Sequence, residues 1–539
     1  MASFDYIVVG AGSAGCVVAS RLSEDPTKRV LLLEAGGSNR SLLYHIPIMM
    51  RIVSRRRSNL WDIKTDPEEG ANNRVFAPPR GKVIGGSSSI NAMIYARGHP
   101  LDYDQWRQSG LDGWGYADLL PYFKRSEGSW RENDAYHNDS GELKVSRSPE
   151  VDIFYKLFAD SAAAAGLKLT PDFNGADPEG ISWPDMTLRG GWRSSAARQF
   201  LRPAENRRNL TIEINALAHK VIVENGKATG VEYSQDGAVK VARCDGEVVL
   251  SGGTYNSPHL LLLSGIGPAD ELRAHGIDVI ADRPDVGRNL QEHVNVITVV
   301  EPKDPISLDS KLRYDKLTIE ALKWGLFRSG LLASFPTSAV GFVRVRPESE
   351  RPDVEIISTP VWQDSNPWFP GIKKRAGHRF TTRLAVLHPR SRGYVKLHSA
   401  DPARPPRVKW NLFSDPIDLE TLREGVKLAR RIHDSGPYKS LLKGEIAPGP
   451  NVKTDAEIDE WLRNNCQTAQ HPASTCRMGT DDDAVVDAEL RVKGVEGIRV
   501  ADCSIMPYVT GCNTNAPAIM IGEKCADLIR GRRLPAAEV

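Results

Sequence analysis

The first apolar cluster, Tyr6-Ile7-Val8-Val9, has the length and β-branching of a buried strand. Past a break of glycines, Val17, Val18, Ala19 and Leu22 recur at helical spacing. Val30-Leu31-Leu32-Leu33 then predicts a second buried strand, ending on Glu34. Strand pattern returns at residues 211–214, 220–223, 230–233 and 246–251, the last running into a glycine turn and a helix that carries Pro258. Residues 497–502 predict a late strand and 516–529 a closing helix, so the chain returns to the sheet it began. Residues 150–166 predict a helix. The block 300–470 differs, with strands near 339–345, 353–357, 383–387 and 392–397 and helices at 418–433 and 455–464.

The expected fold class is α/β: a Rossmann-like domain assembled from discontinuous segments, plus an α+β domain with a mostly antiparallel sheet. The first domain is expected at 1–150, 196–300 and 471–539, and the second at 151–195 and 301–470.

The glycine break carries chemistry. Gly10-Ala11-Gly12-Ser13-Ala14-Gly15 is a G-x-G-x-x-G turn between strand and helix. Gly10 permits the tight turn, Gly12 lets backbone approach a pyrophosphate, and Gly15 lets the helix lie on the strand. The helix N-terminus offers free N–H groups to phosphate. Glu34, 24 positions past Gly10, stands where a carboxylate accepts ribose hydroxyls. These residues predict a bound dinucleotide without saying which. Residues 81–98, rich in glycine and serine but holding Val83-Ile84 and Met93-Ile94-Tyr95, suit backbone packed on a flat ligand. Arg51, Arg55, Arg56 and Arg57 read as a solvated surface segment, and the aromatics of 100–145 as domain packing.

Composition narrows the class. A 539-residue chain holds about two to four domains, and 40% hydrophobic with 26% charged residues is a soluble, globular balance. A net charge of +2 gives no nucleic-acid stripe. The seven cysteines include no C-x-x-C pair, which argues against a disulfide framework or metal site and predicts a reducing, cytoplasmic setting. The first strand starts too early for a secretory leader, and no apolar run reaches the length of a membrane span. Hydrolase, metalloprotease and NTPase motifs are absent.

Together these stretches resemble the glucose–methanol–choline (GMC) family of flavin oxidoreductases. The resemblance covers the N-terminal turn with Glu34, Gly85-Gly86-Ser87-Ser88-Ser89-Ile90-Asn91, residues 251–267 and 285–293, Gln470-His471-Pro472, and residues 502–517. It is strongest to bacterial members of the L-sorbose-dehydrogenase and choline-dehydrogenase types. It implies FAD, with Ser13 and Ala14 at the pyrophosphate, Glu34 at the ribose and the backbone of Val221 at the adenine. Gly86, Asn91, Ala92, Met93 and Ile94 would line the isoalloxazine, with Asp502, Asn513 and Thr514 nearby. Ile90 stands where some relatives carry a flavin-linked histidine, so the FAD is expected to be non-covalent.

The resemblance also implies the chemistry. An alcohol, primary or of the polyol or sugar kind, would lose hydride to flavin N5 while His471 takes the hydroxyl proton. Asn513 matches the family's second active-site position; its amide can orient the substrate oxygen but cannot be a base. Phe335, Trp362, Trp368 and Phe369 are candidates for an aromatic pocket wall. No carboxylate stands out to hold a quaternary ammonium, so choline is not favoured over neutral alcohols. Whether oxygen or another acceptor reoxidises the flavin stays open, and a hydroxynitrile-lyase-like enzyme without net redox is the alternative.

Overall fold

The computed structural model describes residues 3–148 and 152–539; the expected domain boundary at 150/151 lies outside them. Five parallel strands form the first layer, in the order Leu210–Glu213, Val30–Leu33, Phe4–Val9, the end of Ala238–Leu250, and Ile498–Val500. Ile7 stands opposite both Leu31 and Val248, and Val248 opposite Ile498. Both faces of this sheet are covered, so its strands are continuous apolar runs without alternation. Helices Ser13–Leu22 and Asn515–Ile529 pack against each other on one face. Glu523 on the last helix, fully buried, receives Arg21 at 2.8 Å and Arg125 at 2.7 Å.

The other two strands expected here leave the parallel layer. Ala238–Leu250 extends beyond the layer; Lys227–Gln235 pairs with that extension and Leu217–Glu224 with Lys227–Gln235, in an antiparallel meander.

The second sheet is antiparallel throughout, in the order Leu442–Ala447, Val294–Pro302, Phe380–Val386, Val354–Thr359, Ala339–Val343, Gly180–Ser182. Gln467–Thr468 extends it beside Val294. Helix Pro416–His433 buries Leu419, Leu422, Val426, Ala429 and Ile432, spaced for one helical face, on the second core. Asp415 starts this helix, its side chain accepting the Ile417 N–H at 3.0 Å. Helix Asp152–Ala164 adds Phe154, Phe158 and Ala162 to the same core, as do Ile63 and Ala71 from the N-terminal segment.

Two features differ from the pattern read in the sequence. Tyr394–Lys396 is not part of this sheet; it forms a separate hairpin with Arg407–Lys409, anchored where the Val395 N–H donates to Gly287. Val294–Pro302 also runs through position 300 and pairs wholly within the second sheet. Hydrophobicity is continuous there, so pattern alone does not mark the change of layer.

Candidate active site

One cavity of about 1280 Å³ lies between the two sheets, larger than the roughly 300–1,000 Å³ of a drug-sized site. At one end Gly10, Gly12, Ser13 and Ala14 form its wall. Helix Ser13–Leu22 has no side-chain cap, so its first N–H groups are free to meet an anion. Gly15 does not reach the cavity. A Cβ there would run into the Gly10 carbonyl, so its bareness serves the close seat of helix on turn. Gly86 has φ +52°, and a Cβ on it would stand 2.8 Å from Gly12 Cα, so the two glycine loops touch.

Glu34 is 5% exposed. Its two carboxylate oxygens accept the N–H groups of Ala11 and Gly36, each at 2.8 Å. Burial outweighs these bonds and pushes its pKa up to about 7. Beside it Ala216 donates its N–H to the Glu34 carbonyl, and Ala216, Leu217 and Ala218 line the cavity. Val221, expected here, does not. Its side chain lies in the first core and its N–H donates to Ser264 Oγ at 2.8 Å. A register shift between Ala218 and Lys220 separates the two places along the strand.

Midway, Asn91, Ala92, Met93 and Ile94 line the cavity with Ile90. Met93 takes the left-handed φ of +69°, with its N–H donated to Asn91 Oδ1 at 3.2 Å. Arg193 holds the turn from behind, donating to both the side-chain and backbone oxygens of Asn91 at 2.7 Å. Arg193 is 1% exposed and burial lowers its pKa to about 9. Asp502 and Thr514 complete this stretch. The Asp502 carboxylate accepts the Gly253 N–H at 2.9 Å, the Ser257 hydroxyl at 2.6 Å and the Ser504 N–H at 2.8 Å, tying the first turn of helix Gly253–Leu263 to its own turn at 502–505.

At the far end stand His471 and Asn513, with His471 Nε2 3.3 Å from Asn513 Nδ2. His471 follows the short strand Gln467–Thr468, and its N–H is held by Glu292 Oε1 at 2.6 Å. Its Nδ1 lies 3.0 Å from Nδ1 of His293. Burial holds the His471 pKa well below the ordinary histidine value, helped by His293 and the positive Arg80 and Arg383.

The second sheet contributes Glu355 and Arg383 to the wall. Glu355 is 1% exposed, and burial lifts it to about 7 against the opposing pull of Arg383 and Asn513. Glu355 Oε1 and Asn513 Oδ1 are buried without a hydrogen-bond partner, as polar atoms awaiting a ligand would be.

Sequence reasoning missed several of these residues. Glu292 and His293 lie in the segment 285–293, whose sequence alone assigns them no role. Glu355 and Arg383 left a signal, as charged residues inside otherwise apolar strands, and Glu355 is a buried carboxylate that the sequence did not single out. Of the aromatic candidates, Phe335 and Trp362 line the cavity. Trp368 and Phe369 do not, and Trp368 Nε1 instead donates to the Asp309 carbonyl at 3.0 Å. Arg55, Arg56 and Arg57 are exposed, as a solvated surface segment would be, with Arg55 and Arg57 at the rim of the cavity, whereas Arg51 is partly buried in its wall. Arg51 is drawn in by the Ser365 carbonyl.

The cavity is long and two-ended, with the glycine turn at one end and His471 with Asn513 at the other. An enzyme built this way is a dinucleotide-dependent oxidoreductase. Models described as GMC oxidoreductase match residues 4–295 and 389–522, and the chain belongs to the GMC oxidoreductase family. It is 42% identical over 532 residues to the oxygen-dependent choline dehydrogenases of Sinorhizobium fredii and Rhizobium meliloti, covering 98% of this chain and 96% of each relative. Among solved structures it resembles formate oxidase from Aspergillus oryzae, at 28% identity and TM-score 0.91 over 98% of both chains. It also resembles pyridoxine 4-oxidase from Mesorbium loti, at 30% identity and TM-score 0.88 over 99% of this chain and 100% of the other.

The protein is an FAD-dependent oxidoreductase acting on the CH–OH group of its donor. These relatives are redox enzymes by name, which leaves the lyase alternative without support. The cavity fits FAD: uncapped N–H groups at one end, a bare Gly12 facing inward, and unpartnered Glu355 and Asn513 oxygens at the other. Among the described residues, no helix is long and apolar enough to cross a membrane.

Proposed function

We propose that His471 is the base of this alcohol oxidation and Asn513 the group that orients the substrate oxygen. The observation that carries this is the 3.3 Å separation of His471 Nε2 and Asn513 Nδ2 on one cavity wall. A hydroxyl oxygen placed against both donates its proton to Nε2 and accepts a hydrogen bond from the Asn513 amide. Burial keeps the imidazole neutral and ready to accept. FAD, when bound, supplies the hydride acceptor. The negative charge developing on the substrate oxygen meets the Asn513 N–H.

Gly10, Gly12, Ser13 and Ala14 would hold the pyrophosphate and Glu34 the ribose, with Ala216, Leu217 and Ala218 at the adenine in place of Val221. Ile90, Asn91, Ala92, Met93 and Ile94 would face the ring, with Gly86, Asp502 and Thr514. Isoleucine forms no flavin bond, so attachment is non-covalent.

The substrate is a neutral primary alcohol or polyol. Arg383 shares the wall with Glu355 and opposes a quaternary ammonium there, so choline, the donor in the relatives' names, is the poorer fit. The seven cysteines are unpaired, which supports a cytoplasmic protein. Anaerobic mixing with choline, primary alcohols and polyols, scored by flavin bleaching and then by admission of air, tests both substrate and acceptor. His471→Ala should slow bleaching about 10²–10⁴-fold. A variant bleaching near the parent rate removes His471 as base.

A further inference from the structure

A neutral histidine that accepts a proton at Nε2 must carry its own proton on Nδ1. That Nδ1–H is buried and needs an acceptor. For His471 the atom in place is Nδ1 of His293, 3.0 Å away. The two rings stand nearly perpendicular, at 86° with centroids 5.1 Å apart, so they are not stacked. Two ring nitrogens at this distance share one proton: one donates and the other offers its lone pair.

Given His471 as the base, we infer that His293 is its positioning residue, accepting the His471 Nδ1–H and so keeping His471 Nε2 bare toward the substrate. His293 must then hold its own proton on Nε2, a buried atom without a hydrogen-bond partner in the structure, so the arrangement costs one unsatisfied donor. In the reaction the substrate O–H bond breaks and an Nε2–H bond forms on His471, whose Nδ1–H stays in place. The bond to His293 becomes charge-assisted at that moment and strengthens.

The surroundings support this division of roles. His293 is 0% exposed. Burial, with repulsion from His388, lowers its pKa to about 3, so its Nδ1 lone pair is not lost to a proton. The other charged groups here are Glu292, Arg80 and Arg383. Glu292 is committed to the backbone N–H of His471 and not to its ring, while Arg80 and Arg383 act on His471 as positive charges. No carboxylate therefore competes for Nδ1. The backbone fixes the spacing: Ala469 N–H donates to the His293 carbonyl at 2.7 Å, and Gln291 and Ala473 exchange N–H bonds at 3.1 and 3.0 Å.

The test compares His293→Asn, whose Oδ1 can accept the Nδ1–H, with His293→Leu, which fills the space but cannot. Both are made as flavin-loaded enzyme and reduced anaerobically by substrate. His293→Leu should reduce its flavin about 10–100-fold more slowly than His293→Asn, the scale of a misplaced reacting group, with substrate affinity unchanged. Equal rates overturn the inference. A second readout needs no variant activity. Nitrogen NMR of the histidine-labelled parent, assigned with His471→Gln and His293→Asn, should show the His471 proton on Nδ1 and a coupling across the N–H···N bond to His293. A proton on His471 Nε2 overturns the inference even if His293→Leu fails to fold. Should His471→Ala retain activity, the base assignment itself fails. Should His471→Ala be inactive while His293→Leu matches His293→Asn, only the positioning role fails.

Discussion

Glu292 accepts the backbone N–H of His471 at 2.6 Å, and Arg80 donates to the carbonyl of the preceding Gln470 at 2.7 Å. His471 is thus carried on a loop pinned from both sides. Glu292→Ala should lower the rate of flavin reduction about 10–100-fold, the scale of a small misplacement of a reacting group. Glu292→Gln, whose amide oxygen still accepts, should stay close to the parent. Rapid-mixing kinetics on the two variants decide this, and equal rates would show that the loop does not depend on Glu292.

The pH profile of flavin reduction should reflect the surroundings of His471. The base works unprotonated, so activity is lost as pH falls through its pKa, and burial with the nearby positive charges sets that pKa low. The parent should therefore stay active into mildly acidic solution. Arg80→Gln removes a repelling charge, raises the His471 pKa and moves the acid limb to higher pH. A limb that stays put would exclude Arg80 as an electrostatic contributor.

Glu355 should make stability depend on pH. Its carboxyl is raised from 4.5 to about 7 in the folded protein. The folded state thus binds a proton that the unfolded chain has released, and this contribution fades as pH rises from 4.5 through 7. Over the full range it amounts to about 3 kcal/mol. Glu355→Gln should match the parent's unfolding temperature near pH 5 and exceed it near pH 8. Parallel melting curves for the two proteins at both pH values would refute the assignment.

Flavin should leave the protein on denaturation, because Ile90 offers no atom for a covalent link. Acid precipitation is expected to give a yellow supernatant and a colourless pellet; a coloured pellet would contradict this. Gly15→Ala forces a methyl group against the Gly10 carbonyl, and should lower the flavin-to-protein absorbance ratio of the purified enzyme.

The parts of the site legible in the sequence are those encoded locally. The turn from Gly10 to Gly15, Glu34 and the return of the chain at 498–500 all follow from short patterns of apolar and small residues. Pairings across the fold are not local. His293 and His471 lie 178 positions apart, and no periodicity links them. Glu355 and Arg383 sit in strands whose existence was legible, but their approach to Asn513 depends on how two sheets face each other. Val221 stands outside the cavity while Ala216, Leu217 and Ala218 line it, and the register shift between Ala218 and Lys220 that separates them leaves no mark in the pattern of apolar residues. Arg51 was read as exposed because its partner, Ser365, comes from another part of the chain.

The parallel sheet places the first strand beside one ending at Leu250, and that strand beside Ile498–Val500. Ser13, in the glycine turn, donates to Asn515 Oδ1 at 2.8 Å. A ribosome therefore delivers the glycine turn first and the segments that pack against it last. For most of its synthesis the nascent chain carries an unfinished sheet, and the glycine turn waits for residues 498–515 to complete its surroundings. Translation that stops before residue 498 should release colourless protein, not a partly working enzyme.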